Sequence, residues 1–187
     1  MMSIDSIMQD AEKKMKGAID AMLHDFGTYR TGRANVQVLE RVHLDYYGTD
    51  TPLSQVANIS VPEPRQLLIQ PYDKSMTPQI EKAILKADIG LSPVTDGNGI
   101  RLNFPAMTEE RRKEMVKQVH ARIEQAKVAI RNCRRDGIDH FKALEKKKEI
   151  TEDDVKGAEQ KIQKVTDQMV GQADELGKKK EAELMSV

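Results

Sequence analysis

The chain has 187 residues with 30 basic and 30 acidic side chains, a formal net charge of zero, four Tyr, three Phe and no Trp. That length suits one large domain or two small ones, and the composition reads as helix-rich, with a core of Met, Val, Ile, Leu and Ala. A single cysteine excludes an internal disulfide framework and fits a reducing compartment, and with no long apolar run and no leader pattern a cytoplasmic protein without membrane association is expected.

The first predicted element is a helix from Ser3 to about Tyr29. Ile4, Ile7, Ala11, Met15, Ala18, Met22, Phe26 and Tyr29 form its apolar stripe, and Gly27 weakens its last turn. Residues 31–105 change period. Val42, Leu44 and Tyr46 alternate with His43, Asp45 and Tyr47, which predicts a strand; Gly48 to Pro52 reads as a turn. Val56–Val61 and Leu67–Gln70 are further strands, and Thr77-Pro78 opens a short helix that closes by Gly90. Asp96-Gly97-Asn98-Gly99 is a turn before a strand at Ile100–Phe104. All seven prolines lie between Pro52 and Pro105.

A long helix is predicted from Met107 to about Lys146. Its seam is Val116, Val119, Ile123, Ala126, Ile130, Cys133, Gly137, His140 and Leu144, spaced by three and four. A second line through Lys113, Lys117, His120, Glu124, Lys127, Arg131, Arg134 or Arg135, and Lys142 runs about 110° around the helix from that seam. Residues 106–150 hold thirteen basic and eight acidic side chains, whereas residues 151–187 hold six and nine, so the basic excess sits on this one helix. Local field rather than total charge governs association with a polyanion, so the flank points to a nucleic-acid partner; a solvated helix face is the alternative. A last helix starts at the N-cap Thr151, followed by Glu152-Asp153-Asp154, with a seam of Val155, Ala158, Ile162, Val165, Met169, Gln172 and Leu176.

Three amphipathic helices of this length bury their stripes against each other. The fold class is therefore α+β with two domains. Residues 1–30 and 106–187 form an elongated antiparallel three-helix bundle, and residues 31–105 a small β/α/β domain inserted on a two-strand hinge. The hinge residues are Arg30, Thr31, Gly32 and Arg33 on the way out and Phe104, Pro105 and Ala106 on the way back. Gly32 supplies permissive dihedrals and Pro105 stiffens the return.

Catalytic chemistry is not legible. His24, His43, His120 and His140 show no ligand spacing, and His140 reads as a packed seam residue. Cys133 reads as a small buried hydrophobe, and Glu109-Glu110 as helix-start charge. The expectation is no enzyme, no metal, no cofactor and no small-molecule substrate.

Several stretches, in order, resemble bacterial ribosome recycling factor. They are Arg30-Thr31-Gly32-Arg33-Ala34, Tyr46-Tyr47-Gly48-Thr49, Pro52-Leu53, Glu81-Lys82-Ala83-Ile84, Thr108-Glu109-Glu110-Arg111-Arg112-Lys113, Arg131-Asn132, Arg134-Arg135-Asp136 and Lys180-Glu181-Ala182-Glu183-Leu184-Met185. The resemblance implies an L-shaped, monomeric protein with an outline like transfer RNA. With elongation factor G and GTP, such a factor splits the post-termination ribosome and releases messenger and transfer RNA. Its bundle binds large-subunit ribosomal RNA, and its small domain points towards the region entered by elongation factor G. Carried over by motif, Arg131, Arg134 and Arg135 would contact RNA, joined on the basic flank by Lys127. Arg111 and Arg112, near the hinge end, would face RNA or elongation factor G. Arg30 and Arg33 either bridge the domains or contact RNA. Gly137 departs from the family, which more often has alanine there. A helical adaptor or holdase, with seams open to a second chain, is the alternative reading.

Overall fold

The computed structural model describes residues 2–29 and 31–186. It is an α+β fold made of two compact units, one formed by Met1–Phe26 with Lys113–Ser186 and the other by Gly27–Arg112.

The first unit contains nearly all of helices α1 (Ile4–Thr28) and α3 (Glu109–Lys146), and α4 (Glu152–Met185). Each helix starts on a chemically defined cap. The Ser3 and Ser6 hydroxyls exchange bonds with each other's backbone amides at the start of α1. Thr108 Oγ1 accepts from Arg111 N, and Thr151 with Asp154 forms a reciprocal capping box. Helix α3 ends where Lys148 takes φ +60 and Glu149 N donates back to Leu144 O.

Side-chain pairs fix the directions of the helices. Arg122 meets Asp25, while a Cβ on Gly137 would lie 3.8 Å from that of Ala11, so α1 and α3 run antiparallel. His120 meets Glu181, Lys127 meets Asp174 and Arg134 meets Gln163, so α3 and α4 also run antiparallel. At 38 residues α3 is about 57 Å long, which makes this unit a rod.

The seams differ from the sequence reading at specific positions. In α1, Ile19 is buried and Ala18 only half-buried. In α3, Met115 and Phe141 are core residues, whereas His140 is exposed and Val116 and Cys133 are half-buried. In α4 the buried line is Val155, Ala158, Ile162, Thr166, Met169, Ala173, Gly177 and Leu184; Gln172 is exposed and Val165 and Leu176 half-buried. In α4 the cause is geometric. A strict 3.5-residue repeat drifts against a helix of 3.6 residues per turn, so Val165, Gln172 and Leu176 give way to Thr166, Ala173 and Gly177. Thr166 joins the core because its hydroxyl donates to Ile162 O at 2.7 Å.

The second unit holds a hairpin, β1 (His43–Tyr46) with β2 (Thr49–Pro52), and a four-stranded antiparallel sheet. That sheet has the order β3 (Ala57–Glu63), β4 (Gln66–Pro71), β6 (Gly99–Asn103), β5 (Pro93–Asp96). Helix α2 (Thr77–Lys86) has Pro78 in its first turn. Leu67 and Ile69 of β4, Ile100 and Leu102 of β6, and Ile80 and Ile84 of α2 are fully buried in one core with Leu39, Val42, Leu44 and Leu53. Period two on the strands and period four on the helix place these side chains on facing surfaces.

Two strands here were not read from the sequence. The segment expected to turn from Gly48 to Pro52 is strand β2, and the turn shrinks to Tyr47 (φ +51) and Gly48 (φ +83). Two consecutive positive φ values give a two-residue hairpin whose twist matches its strands. Strand β5 begins at Pro93 on the sheet edge, where a missing N–H is tolerated.

Candidate nucleic-acid interface

The candidate surface is built on α3. Lys117, Arg131, Arg135 and Lys142 recur on one side of the helix and are exposed, with no ion pair or hydrogen bond within the chain among the described residues. Lys113 is exposed on the same line and has an interaction of its own. Val128 is 51% exposed, which marks this side of α3 as uncovered by the other helices.

The other basic side chains of the flank turn towards α4 and meet it in steps of seven residues. His120 Nε2 lies 2.7 Å from Glu181 Oε1. Lys127 Nζ lies 2.6 Å from Asp174 Oδ1 and 3.3 Å from Glu124 Oε1, and its side chain is 15% exposed. The Asp174 carboxylate raises the Lys127 ammonium above its ordinary pKa; partial burial opposes this and Glu124 adds to it. Lys127 is therefore a charged residue held by its own bundle. Arg134 Nη1 donates to Gln163 Oε1 at 2.5 Å, and Gln163 Nε2 donates to Asp167 Oδ1 at 2.8 Å. Arg134 is half-buried, and its Nε is buried with no partner among the described residues.

Near the start of α3, Arg111 is exposed and already has an interaction within the chain. Arg112 is half-buried, with a buried Nε lacking a partner among the described residues. The six arginines and lysines expected to contact RNA thus fall into three groups. Arg131 and Arg135 are exposed and unpaired, Lys127 and Arg134 are engaged with α4, and Arg111 and Arg112 stand at the first turn. Sequence reasoning missed the α4 partners Gln163, Asp167, Asp174 and Glu181. Their i, i+4 and i, i+7 spacing was visible, but only the interhelix register shows which cation each one meets.

Of the expected hinge residues, Arg30 lies outside the described residues. Thr31 is 8% exposed and its Oγ1 accepts from Arg33 N. Gly32 is buried at φ +78, the left-handed region that glycine enters without penalty. Arg33 is exposed with an interaction of its own. Ala34 N donates to Pro64 O and Phe104 N to Arg65 O, both at 2.8 Å. The outgoing and returning strands are therefore anchored side by side on the β3–β4 turn. Phe104 packs against the small unit's core, while Pro105 and Ala106 are exposed.

Comparison with known proteins gives concordant results. A family model described as Ribosome recycling factor matches residues 22–185. The ribosome-recycling factor of Bacillus cereus (strain AH187) is 54% identical over 181 residues, covering 97% of this chain and 98% of that one. That of Bacillus thuringiensis (strain Al Hakam) is 53% identical over the same coverage. Among solved structures, a solution structure of the ribosome recycling factor superposes with a TM-score of 0.79 at 39% identity, covering both chains fully. A second match is the T. thermophilus ribosome recycling factor, described together with E. coli elongation factor G as bound to the E. coli post-termination complex. It has a TM-score of 0.66 at 39% identity, covering 98% of this chain and 99% of that one.

Proposed function

The chain belongs to the ribosome recycling factor family, and we propose that it docks on large-subunit ribosomal RNA through α3 and, with elongation factor G and GTP, splits the post-termination ribosome. Messenger and deacylated transfer RNA leave as the complex comes apart. The factor acts mechanically and makes or breaks no covalent bond. The observation that carries this reading is the exposed, unpaired line Lys117, Arg131, Arg135 and Lys142 on a rod about 57 Å long. Such a line follows a phosphate backbone and fixes position without reading sequence. Arginine adds a planar fork that donates two parallel bonds to one phosphate.

The small unit is the movable part in this reading. Its two linkers, 31–34 and 104–106, act as a paired hinge that lets it swing relative to the bundle when elongation factor G arrives. Gly32 provides the backbone freedom, and the anchors on Pro64 and Arg65 keep the pivot at one end of the small unit. The helix seams support a monomer, because Val119, Ile130, Phe141, Ile162 and Ala173 are buried within the bundle and offer no open seam to a second chain. No helix of the described residues is long and apolar enough to cross a membrane.

Co-sedimentation with separated large and small ribosomal subunits over a salt series tests the proposal. Binding to the large subunit should weaken steeply with salt, because each neutralised phosphate releases counterions. Replacing Arg131, Arg134 and Arg135 by alanine should flatten the log–log salt slope by about 2 to 3 and remove binding at moderate salt. A triple variant that bound like the unaltered protein, with unchanged helicity, would show that α3 does not carry the RNA face.

A further inference from the structure

Arg134 differs from the other basic side chains that α3 turns towards α4. Lys127 meets the Asp174 carboxylate directly, and His120 lies against Glu181. One heptad beyond Lys127, a neutral amide stands between Arg134 and the Asp167 carboxylate. Gln163 Oε1 accepts from Arg134 Nη1 at 2.5 Å, and Gln163 Nε2 donates to Asp167 Oδ1 at 2.8 Å.

We infer that Gln163 and Asp167 of α4 are positioning residues for the Arg134 guanidinium at the RNA face, an inference that rests on the interface proposed above. The chemistry of the relay sets its polarity. An ionised carboxylate only accepts, so Asp167 takes the amide N–H of Gln163. The amide oxygen must then face Arg134. The reversed amide would set donor against donor at Arg134 and acceptor against acceptor at Asp167. Gln163 and Asp167 are one helical turn apart, on the same face of α4.

The relay holds the guanidinium without neutralising it. A direct arginine–carboxylate pair engages two N–H groups in parallel and competes with phosphate for the same fork. Here one of the five guanidinium N–H groups goes to an uncharged oxygen. Nε is buried and unpaired, and among the described residues Nη2 has no hydrogen-bond partner. Nη2 is therefore left for a phosphate, while Nη1 is held from α4. Arg131 and Arg135 have no such support and must be ordered by RNA itself, at the expense of side-chain entropy.

The test is large-subunit affinity and its salt slope, measured on the full chain with helicity as a check of fold. Gln163→Leu removes the acceptor at nearly constant size. It should weaken binding at least about threefold in the unaltered background and have no further effect in an Arg134→Ala background, the non-additivity expected of one unit. Asp167→Ala and Asp167→Asn remove the same negative charge. Asp167→Asn keeps an acceptor for Gln163 and should bind at least as well as the unaltered protein. Asp167→Ala should bind more weakly than Asp167→Asn, against the gain expected from removing an anion near RNA. Asp167→Ala binding as tightly as Asp167→Asn, or a Gln163→Leu effect that adds to Arg134→Ala, would overturn the inference and leave the interface standing. An Arg134→Ala protein that bound unchanged would remove the interface role of Arg134, and the inference with it.

Discussion

Replacing helical glycines by alanine separates two roles that the bundle gives the same residue. Gly17 in α1 and Gly157 and Gly171 in α4 have nothing within 4 Å of the position an added Cβ would take. Each alanine there should stabilise the bundle by about 0.8–1.0 kcal/mol through helix propensity alone. Gly157 and Gly171 are about 21 Å apart along α4, so their effects should add, and the triple variant should gain about 2–3 kcal/mol. Gly177 behaves oppositely. Its Cβ would meet Ile123 Cδ1 within van der Waals distance and Cγ1 at 2.7 Å. Ile123 is buried, and a β-branched side chain in a helix has essentially one χ1 rotamer, so it cannot retreat. Overpacking of this kind costs about 1–3 kcal/mol, which cancels or exceeds the propensity gain. Gly137 is intermediate: its Cβ meets only the terminal Cδ1 of Ile162, with Ala11 and Ile7 at ordinary contact distance, so Gly137→Ala should be close to neutral. Urea unfolding followed by helical circular dichroism reads the order directly. Stabilisation of Gly177→Ala by as much as Gly171→Ala would refute the close approach of α3 and α4 as the reason for glycine there.

Five further outcomes follow from particular residues. Thr151→Ala should destabilise α4 by about 1 kcal/mol. The capping-box bonds, Thr151 N first and its hydroxyl second, hold Asp154 below its ordinary pKa, so this carboxylate contributes stability above that value and loses it as pH falls through the depressed one. The urea midpoints of Asp154→Asn and the unaltered protein should accordingly converge in acid. Lys127→Met should lower bundle stability more than large-subunit affinity, whereas Arg131→Ala should do the reverse; comparing urea midpoints with subunit binding for the pair checks this. Tyr47→Gly should stabilise the small unit by up to about 1 kcal/mol, because φ +51 strains a bulky side chain, as tyrosine fluorescence during unfolding would report. Burial pushes the Cys133 thiol pKa up, so its reaction with a disulfide reagent at neutral pH should be slower than that of a free thiol and should accelerate with rising pH.

The parts of this molecule that were legible in the sequence are those specified by local chemistry. Thr151 with Asp154 announces a helix start from four residues, and Thr77-Pro78 does the same for α2. What failed depended on partners distant in sequence. His140 was placed on the seam and Phe141 was not, because the position that faces the core late in a 38-residue helix depends on accumulated phase. Ala173 and Gly177 were passed over for Gln172 and Leu176 because close helix approach selects small residues, which a hydrophobic pattern reads as weak. Strand β2 has only Thr51 buried, and β5 is an edge strand beginning with proline, so neither carries a strong alternation. In the candidate interface the line of cations was visible by spacing alone. Which of them α4 holds was not, since Lys127–Asp174 and Arg134–Gln163 depend on the register of two helices.

That register explains how a chain of zero net charge can present the basic surface proposed to meet RNA. A uniformly basic protein of this size would bind any polyanion from a distance and leave it slowly. Here Asp174 of α4 takes up Lys127, and the exposed lysines Lys156 and Lys164 share a face with Glu159, Asp167 and Gln163. At physiological salt the Debye length is about 8 Å, so these pairs contribute little field a short way from the surface. The unpaired line on α3 remains, and it attracts phosphate only once the rod is nearly aligned with it. Alignment thus becomes a condition of binding rather than its consequence. The docking proposed above would be served by attraction that is strong in register and weak elsewhere.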